Sequence, residues 1–290
     1  MEDLFNKLGI NVNFSFALIM ASLIWVRMLA IVTVIPFLFG RPVPRTVRVG
    51  AAMVLTAFAY RYLIPANPPK ITEDVMLLSM LYLKEVFIGL MIGFAASLIF
   101  YGFEAAGQMI DAQRGMSIAR VLIPELGSQS SLSGTFLFQL SIVIFLSIGG
   151  HLMFFDAVFS SYKILPLFEF PNIQPGLYHL MDFFMRLSAE ILVLSVQISA
   201  PVIITILIAD IILGVANRIA PQINVWELGF NVKGYLGVLA LFWALTMVVN
   251  QMENYTLRSS KNLSNVTDLL KGTIPEVILQ EEGHKEVNSE

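Results

Sequence analysis

Cysteine is absent from the 290-residue chain. That excludes a disulfide framework, a thiolate metal site and a cysteine nucleophile. Charge is scarce as well: 18 Lys+Arg and 21 Asp+Glu amount to 13% of residues, against about 25% in a soluble domain. The formal net charge of −3 provides no basic face of the kind that nucleic acid requires. The three histidines, His151, His179 and His284, are scattered. With no HExxH run and no GxSxG elbow, neither a metal centre nor a hydrolytic nucleophile has its residues. Apolar residues are what the chain has in abundance: 57% are hydrophobic and the mean hydropathy is +0.76. A soluble protein of this size needs far more polar surface. The expected class is an all-α membrane protein that is not an enzyme and uses no cofactor or metal.

The start, Met1–Lys7, is slightly acidic, and the apolar run Phe14–Leu38 that follows is too long for a signal h-region of about 7–15 residues. The first helix is therefore expected to stay on the protein. A bilayer core of about 30 Å takes about 20 helical residues. Apolar stretches that approach this are Phe14–Leu38, Val49–Ile64, Val75–Phe103, Thr135–Phe155, Phe183–Ala216 and Gly234–Met252. The reading is about six long, broken apolar helices, the second of them short. From Glu253 the chain turns polar and reads as a solvated tail.

Loop charge does not orient these spans. Alternating topology puts Lys7, Arg61, Lys70, Lys163, Arg186, Arg258, Lys261, Lys271 and Lys285 on one side. The other side receives Arg41, Arg45, Arg48, Arg114, Arg120, Arg218 and Lys233. Such an even split suggests that some helices do not cross the bilayer in the ordinary way, or that the chain lives in a larger assembly. The helices also carry many breakers, among them Pro36, Gly89, Gly93, Gly102, Gly107, Gly149, Gly150, Pro201, Gly214, Gly234 and Gly237. Each has two readings: close packing through small residues, or a hinge in a moving channel or transporter.

Three segments carry more specific information. In Glu104–Ser133, the polar residues Glu104, Gln108 and Asp111 fall at i, i+4 and i+7 and continue the preceding helix. Arg114 can pair with Asp111, and Gly115 sits where a helix ends. Beyond Gln113 and Gly115, the apolar Met116, Ile118, Val121, Leu122 and Ile123 alternate with polar residues until Pro124 and Gly127 break the run. So long a loop is usually functional or disordered, and this one is too apolar for comfortable disorder. It either packs as a re-entrant loop or fills a pore, where apolar constrictions exclude water. The second segment, Gly214–Gly229, places Asn217 and Arg218 at a helix end, an extended Ala220–Pro221 pair, then Gln222 and Asn224, with Gly229 at the restart. The third is Trp25–Gly50. Here Arg27 interrupts an apolar helix at a cost of about 2.5–3.5 kcal/mol, and Glu85, Glu190 and Asp210 are possible carboxylate partners. Lys84–Glu85, near a helix start, and Arg186 with Glu190 read as interfacial ion pairs.

These segments resemble the FliR family of the flagellar export apparatus and its injectisome counterpart, the SctT family of type III secretion. The resemblance runs through nearly all of residues 20–250. It rests on VRMLAIVTVIPFL followed by VPRTVRVG, on KEVFIGLMIGF, on AAGQMIDAQRG, on SIGGHLMFF and on NRIAPQINVWELGFNVK. The last is the most specific. It contains Asn217, Arg218, Pro221, Gln222, Asn224, Gly229 and Lys233, which with Arg27 are the family-motif positions. LGF-x-VK leans flagellar, whereas IDAQRG suits either branch. The family often has Asp-Pro where this chain has Ile123-Pro124.

The resemblance implies a FliP-like helical portion over residues 1–180, with a plug loop within 104–133, then a FliQ-like helical hairpin over 181–252 and a polar tail over 253–290. It further implies a core subunit of an export gate in the bacterial inner membrane, a multi-pass protein of the flagellar basal body. Its partners are then FliP and FliQ homologues, an FlhB homologue, membrane lipid and unfolded export substrates, with no nucleic acid. Met116, Ile118, Val121, Leu122 and Ile123 would plug the pore, supported by Gln113, Arg114, Gly115, Pro124 and Gly127. The alternatives are the equivalent injectisome subunit and a secondary transporter built around Arg27, Glu190 and Asp210. No inverted repeat supports the transporter.

Overall fold

A computed structural model describes residues 14–39, 43–63, 75–116, 131–170, 177–222 and 224–270. Every regular element among them is an α-helix: α1 Phe14–Val34, α2 Pro36–Phe39, α3 Arg45–Leu63, α4 Val75–Gln113, α5 Leu132–Ser147, α6 Gly150–Ile164, α7 Leu177–Ile219 and α8 Val225–Leu270. The all-α class expected from composition is what is observed. Local chemistry sets the boundaries. Pro36 opens α2, where its missing N–H costs nothing. Ser131 caps α5, its Oγ accepting the Gly134 N–H at 2.9 Å. Gly115 (φ +80) follows α4, and Gly149 (φ +76) separates α5 from α6, both in the left-handed region that glycine enters freely.

Among the described residues four helices are long and apolar enough to cross a membrane: Ser15–Val34, Val75–Gln113, Leu180–Ile219 and Val225–Tyr255. A fifth arises if α5 and α6 count together as one broken span. The expected second span, α3, is not among them. The fourth breaks at Ile148–Gly149, inside what the sequence presents as one apolar run. By contrast α7 runs 43 residues straight through Pro201. At about 1.5 Å per residue, α7 and the 46-residue α8 reach roughly 65 and 69 Å, about twice a hydrocarbon core. The polar sequence after Met252 stays helical to Leu270.

Residues cluster into two compact units, each assembled from separated stretches. One joins the chain up to Ser97 with Leu152–Phe184. In it α1 packs against α3, and α1 and α4 approach backbone to backbone. A Cβ on Gly89 would lie 2.7 Å from the Arg27 carbonyl oxygen and 2.8 Å from Ala30 Cβ. That contact brings Glu85, one turn earlier, beside Arg27. Both are fully buried and ion-paired through Nε. The guanidinium also donates to Ser161 Oγ at 3.2 Å and the Leu165 carbonyl at 3.1 Å, and stacks 4.1 Å from the Tyr162 ring centroid. Arg27 thus takes Glu85, not Glu190 or Asp210. Lys84 Nζ lies 2.9 Å from the same carboxylate and donates to the carbonyls of Pro166, Leu167 and Glu169 at 2.8–2.9 Å. Lys84 and Glu85 are therefore a buried pair holding the 165–170 turn, not the interfacial pair expected from their place near a helix start.

The second unit joins Leu98–His151 with Met185–Ser259. Here α4 meets α7 at Gly102, whose carbonyl accepts from Ser195 Oγ at 2.9 Å. It meets α5 at Gly107, where a Cβ would lie 2.4 Å from backbone atoms of Ser133 and Gly134. The breakers thus divide. Gly89, Gly102 and Gly107 are contact points, whereas a Cβ on Gly214 would meet nothing within 4 Å. The polar stripe divides too: Glu104 and Asp111 are buried, but Gln108 is exposed.

Glu85→Ala leaves the Arg27 charge buried without its carboxylate. Unfolding in detergent is expected to show a loss of about 3–5 kcal/mol. Gly107→Ala has no flexible side chain to push aside, so membrane-integrated protein should fall severalfold on quantitative immunoblots, while Gly214→Ala accumulates at the normal level.

Candidate functional site

The candidate site grows from the last turn of α4. Arg114 and Gly115 close that turn through N–H bonds to the carbonyls of Ile110 (3.1 Å) and Ala112 (3.2 Å). The positive φ of Gly115 then turns the chain away. The described chain resumes at Ser131, and one carboxylate joins the two sides. Asp111 Oδ2 accepts from Ser131 Oγ at 2.6 Å and from the Ser133 N–H at 3.1 Å. Its Oδ1 accepts from Ser133 Oγ at 2.6 Å and from Arg114 Nη1 at 3.3 Å. Asp111 is 1% exposed, and these bonds stand in for water at the buried carboxylate. Arg114, 9% exposed, also donates from Nη1 to Ser133 Oγ at 3.3 Å and from Nη2 to the Gly234 carbonyl on α8 at 3.2 Å.

Beside this clasp lies a cleft of about 310 Å³, lined by Arg114, Gly115, Asp210, Leu213, Gly214, Val225, Trp226, Gly229, Phe230 and Lys233. Asp210 on α7 and Lys233 on α8 form an ion pair across it, both partly exposed. Asp210 is thus the partner of Lys233, not of Arg27. Trp226 and Phe230 meet edge to face at 5.1 Å. Each cation of the cleft has a carboxylate beside it, Asp210 for Lys233 and the buried Asp111 for Arg114. Among the described residues no three His, Asp or Glu side chains gather as metal ligands. The arrangement holds elements in place, tying the end of α4 to the start of α5 and to α8.

Of the expected family-motif residues, Gly229 and Lys233 line this cleft together with Arg114 and Gly115. Asn217 and Arg218 stand exposed on the last turn of α7, and Pro221, Gln222 and Asn224 stand exposed on the turn that follows it. Arg27 belongs to the other unit. Gly229 does not mark the helix restart. α8 begins at Val225, capped by Asn224, whose Oδ1 accepts the Glu227 N–H at 3.4 Å while its Nδ2 donates to the Glu227 carboxylate at 3.3 Å. This Asn-x-x-Glu pairing is a capping-box signature that the sequence displays and that places the start four residues earlier. Of the expected plug, Met116 is half-buried just past Gly115. Ile118, Val121, Leu122, Ile123, Pro124 and Gly127 lie outside the described residues. Gln113 is exposed on the last turn of α4. Sequence reading missed Ser131 and Ser133; the only signal was a serine directly before an apolar helix.

The sequence profile of the bacterial export proteins, family 1, matches residues 18–259. Flagellar biosynthetic protein FliR of Bacillus subtilis is 29% identical over 245 residues, covering 83% of this chain and 93% of the relative. Its counterpart from Aquifex aeolicus is 30% identical over 238 residues, 82% and 90% of the two chains. Yop proteins translocation protein T of Yersinia pestis is 36% identical over 190 residues, 65% of this chain and 72% of the relative. Long apolar helices and a family match across most of the length agree on a membrane-embedded export protein without enzymatic activity. The chain belongs to the bacterial export proteins, family 1.

Proposed function

We propose that this chain is the FliR-type core subunit of a flagellar type III export gate in the bacterial inner membrane. There it forms, with FliP and FliQ homologues and an adjoining FlhB homologue, the pore through which unfolded flagellar subunits leave the cytosol. The observation that carries this reading is the nearly end-to-end match to the Bacillus subtilis protein, 93% of whose length is covered. Residues 1–180 are the FliP-like portion, residues 181–252 the FliQ-like hairpin, and 253–290 a polar extension.

Physical features support an assembly. In α8 only 11% of the most apolar window is buried within the chain, against 61% in α4. Along α7 and α8, Leu207, Ile211, Phe242 and Trp243 stand more than half exposed. A partly exposed Asp210–Lys233 pair among them is costly against acyl chains, which favours protein or water on that face. Residues Met116, Ile118, Val121, Leu122 and Ile123 form the plug: Met and branched aliphatic side chains can close around a moving polypeptide and reseal. No bond is made or broken by this chain.

A second reading, the equivalent injectisome subunit, is favoured by the higher identity to the Yersinia protein over its shorter match. Restoring motility in a flagellar-gate deletion, against restoring injectisome secretion, separates the two. Purification from native membranes should yield one large complex with several small apolar proteins. Recovery of the chain alone, active in solute uptake, would instead support a secondary transporter. Replacing Met116, Ile118, Val121, Leu122 and Ile123 with serine should raise resting ion conductance severalfold at normal complex yield. Unchanged conductance in voltage-dye or planar-bilayer recordings removes the plug assignment.

A further inference from the structure

The clasp at the end of α4 ties three pieces of chain that are remote in sequence. Asp111 reaches Ser131 and Ser133 across 20 and 22 positions, and Arg114 reaches Gly234 across 120. The geometry leaves little slack. Asp111 accepts from Ser131, Ser133 and Arg114 on its two oxygens, and directly beneath it Gly107 and Gly134 touch with no side chain between them. Ser131 Oγ also lies 3.2 Å from the Gly107 carbonyl. On the far side the Arg114 stem lies flat against Gly237 of α8. A Cβ there would meet Arg114 Cδ at 2.6 Å, Cγ at 2.7 Å and Nε at 2.9 Å. Glycine at 237 is therefore what lets the guanidinium reach the Gly234 carbonyl. All three atoms nearest that Cβ position belong to Arg114, so the missing side chain makes room for Arg114 above all.

Two separate requirements are thus satisfied by adjacent residues. Asp111 holds the start of the 116–131 connection to its end. Arg114 holds that joined base to α8. A network of this kind is costly when half-made, because every remaining polar group is buried. Each acts by fixing backbone: Asp111 through the Ser133 N–H and Arg114 through the Gly234 carbonyl.

We propose that Asp111 and Arg114 are positioning residues of the export pathway. They lock the base of the 116–131 connection to itself and to α8, and this lock keeps the resting conductance low. The inference rests on the pore reading above, but it concerns different side chains and can fail separately.

The absence of cysteine supplies the test. In the full chain, assembled with its partners in native membranes, Asp111→Cys with Ser133→Cys replaces the carboxylate–hydroxyl contact by the only two thiols of this chain. Conductance of the same membranes is recorded oxidised and after reduction, with complex yield measured in parallel. The expected result is at least a tenfold rise on reduction, reversed by reoxidation. A purely structural role in assembly does not produce such a reversible change at constant yield. Gly237→Ala, which displaces Arg114 and leaves the serine hydrogen bonds of Asp111 in place, should raise conductance about fivefold, and Arg114→Lys less than Arg114→Gln.

Equal conductance in the two redox states, together with a silent Gly237→Ala, overturns the proposal. If the serine-substituted plug leaks in that case, the pore reading survives alone. If the redox pair switches while the serine-substituted plug stays tight, the lock stands and the plug assignment falls. Silence in all variants overturns both. Should the double-cysteine chain fail to accumulate, Gly237→Ala and the two Arg114 variants decide.

Discussion

Charge buried in an apolar helix bundle must be neutralised where it lies, and Arg27 sets the terms for the first unit. Its guanidinium is wholly enclosed, so it requires a carboxylate, a hydroxyl, a carbonyl and an aromatic face at fixed directions. Glu85, Ser161, Leu165 and Tyr162 supply them. Meeting those demands fixes which face of α4 turns towards α1, which in turn requires Gly89 at the crossing. Lys84 extends the same network into three carbonyls of the 165–170 turn. The polar core thus specifies an arrangement that interchangeable aliphatic contacts leave loosely determined.

The second unit solves the same problem with the opposite sign. There a carboxylate, Asp111, is the enclosed group, and serine hydroxyls and an arginine gather around it. In both units glycine stands beside the charge, and in both the close backbone approach and the polar network need each other. Without the glycines the helices stay too far apart for short side chains to bridge them. Without the ionic groups, nothing selects those crossings over others.

Much of this was legible in the sequence. The helical membrane class followed from scarce charge and long apolar runs, and the Asp111–Arg114 pair and the Gly115 stop followed from spacing within one helix. Interactions across helices were not legible. Arg27 had three possible carboxylates, and only the α1–α4 crossing selects Glu85. Lys84 looked interfacial because depth in a bundle is set by its neighbours, not by distance from a helix start. Pro201 resembled a breaker, yet α7 continues through it, whereas the break at Ile148–Gly149 lies inside an apolar run. Asn224–Glu227 was readable, since a capping box is a local signal.

The enclosed guanidinium also bears on how the protein is made. Arg27 leaves the ribosome 58 residues before Glu85 and 138 before Leu165. At about 5–20 residues per second, α1 waits roughly 3–12 s for its counter-ion and roughly 7–28 s for the carbonyl that completes the shell. Through that interval the first helix carries an unneutralised cation, which the finished protein never exposes. A lateral exit into lipid is opposed until α4 arrives, so the two helices are expected to leave the insertion machinery as a pair. Biosynthesis, as much as the folded state, then constrains how far apart in the chain these residues can lie.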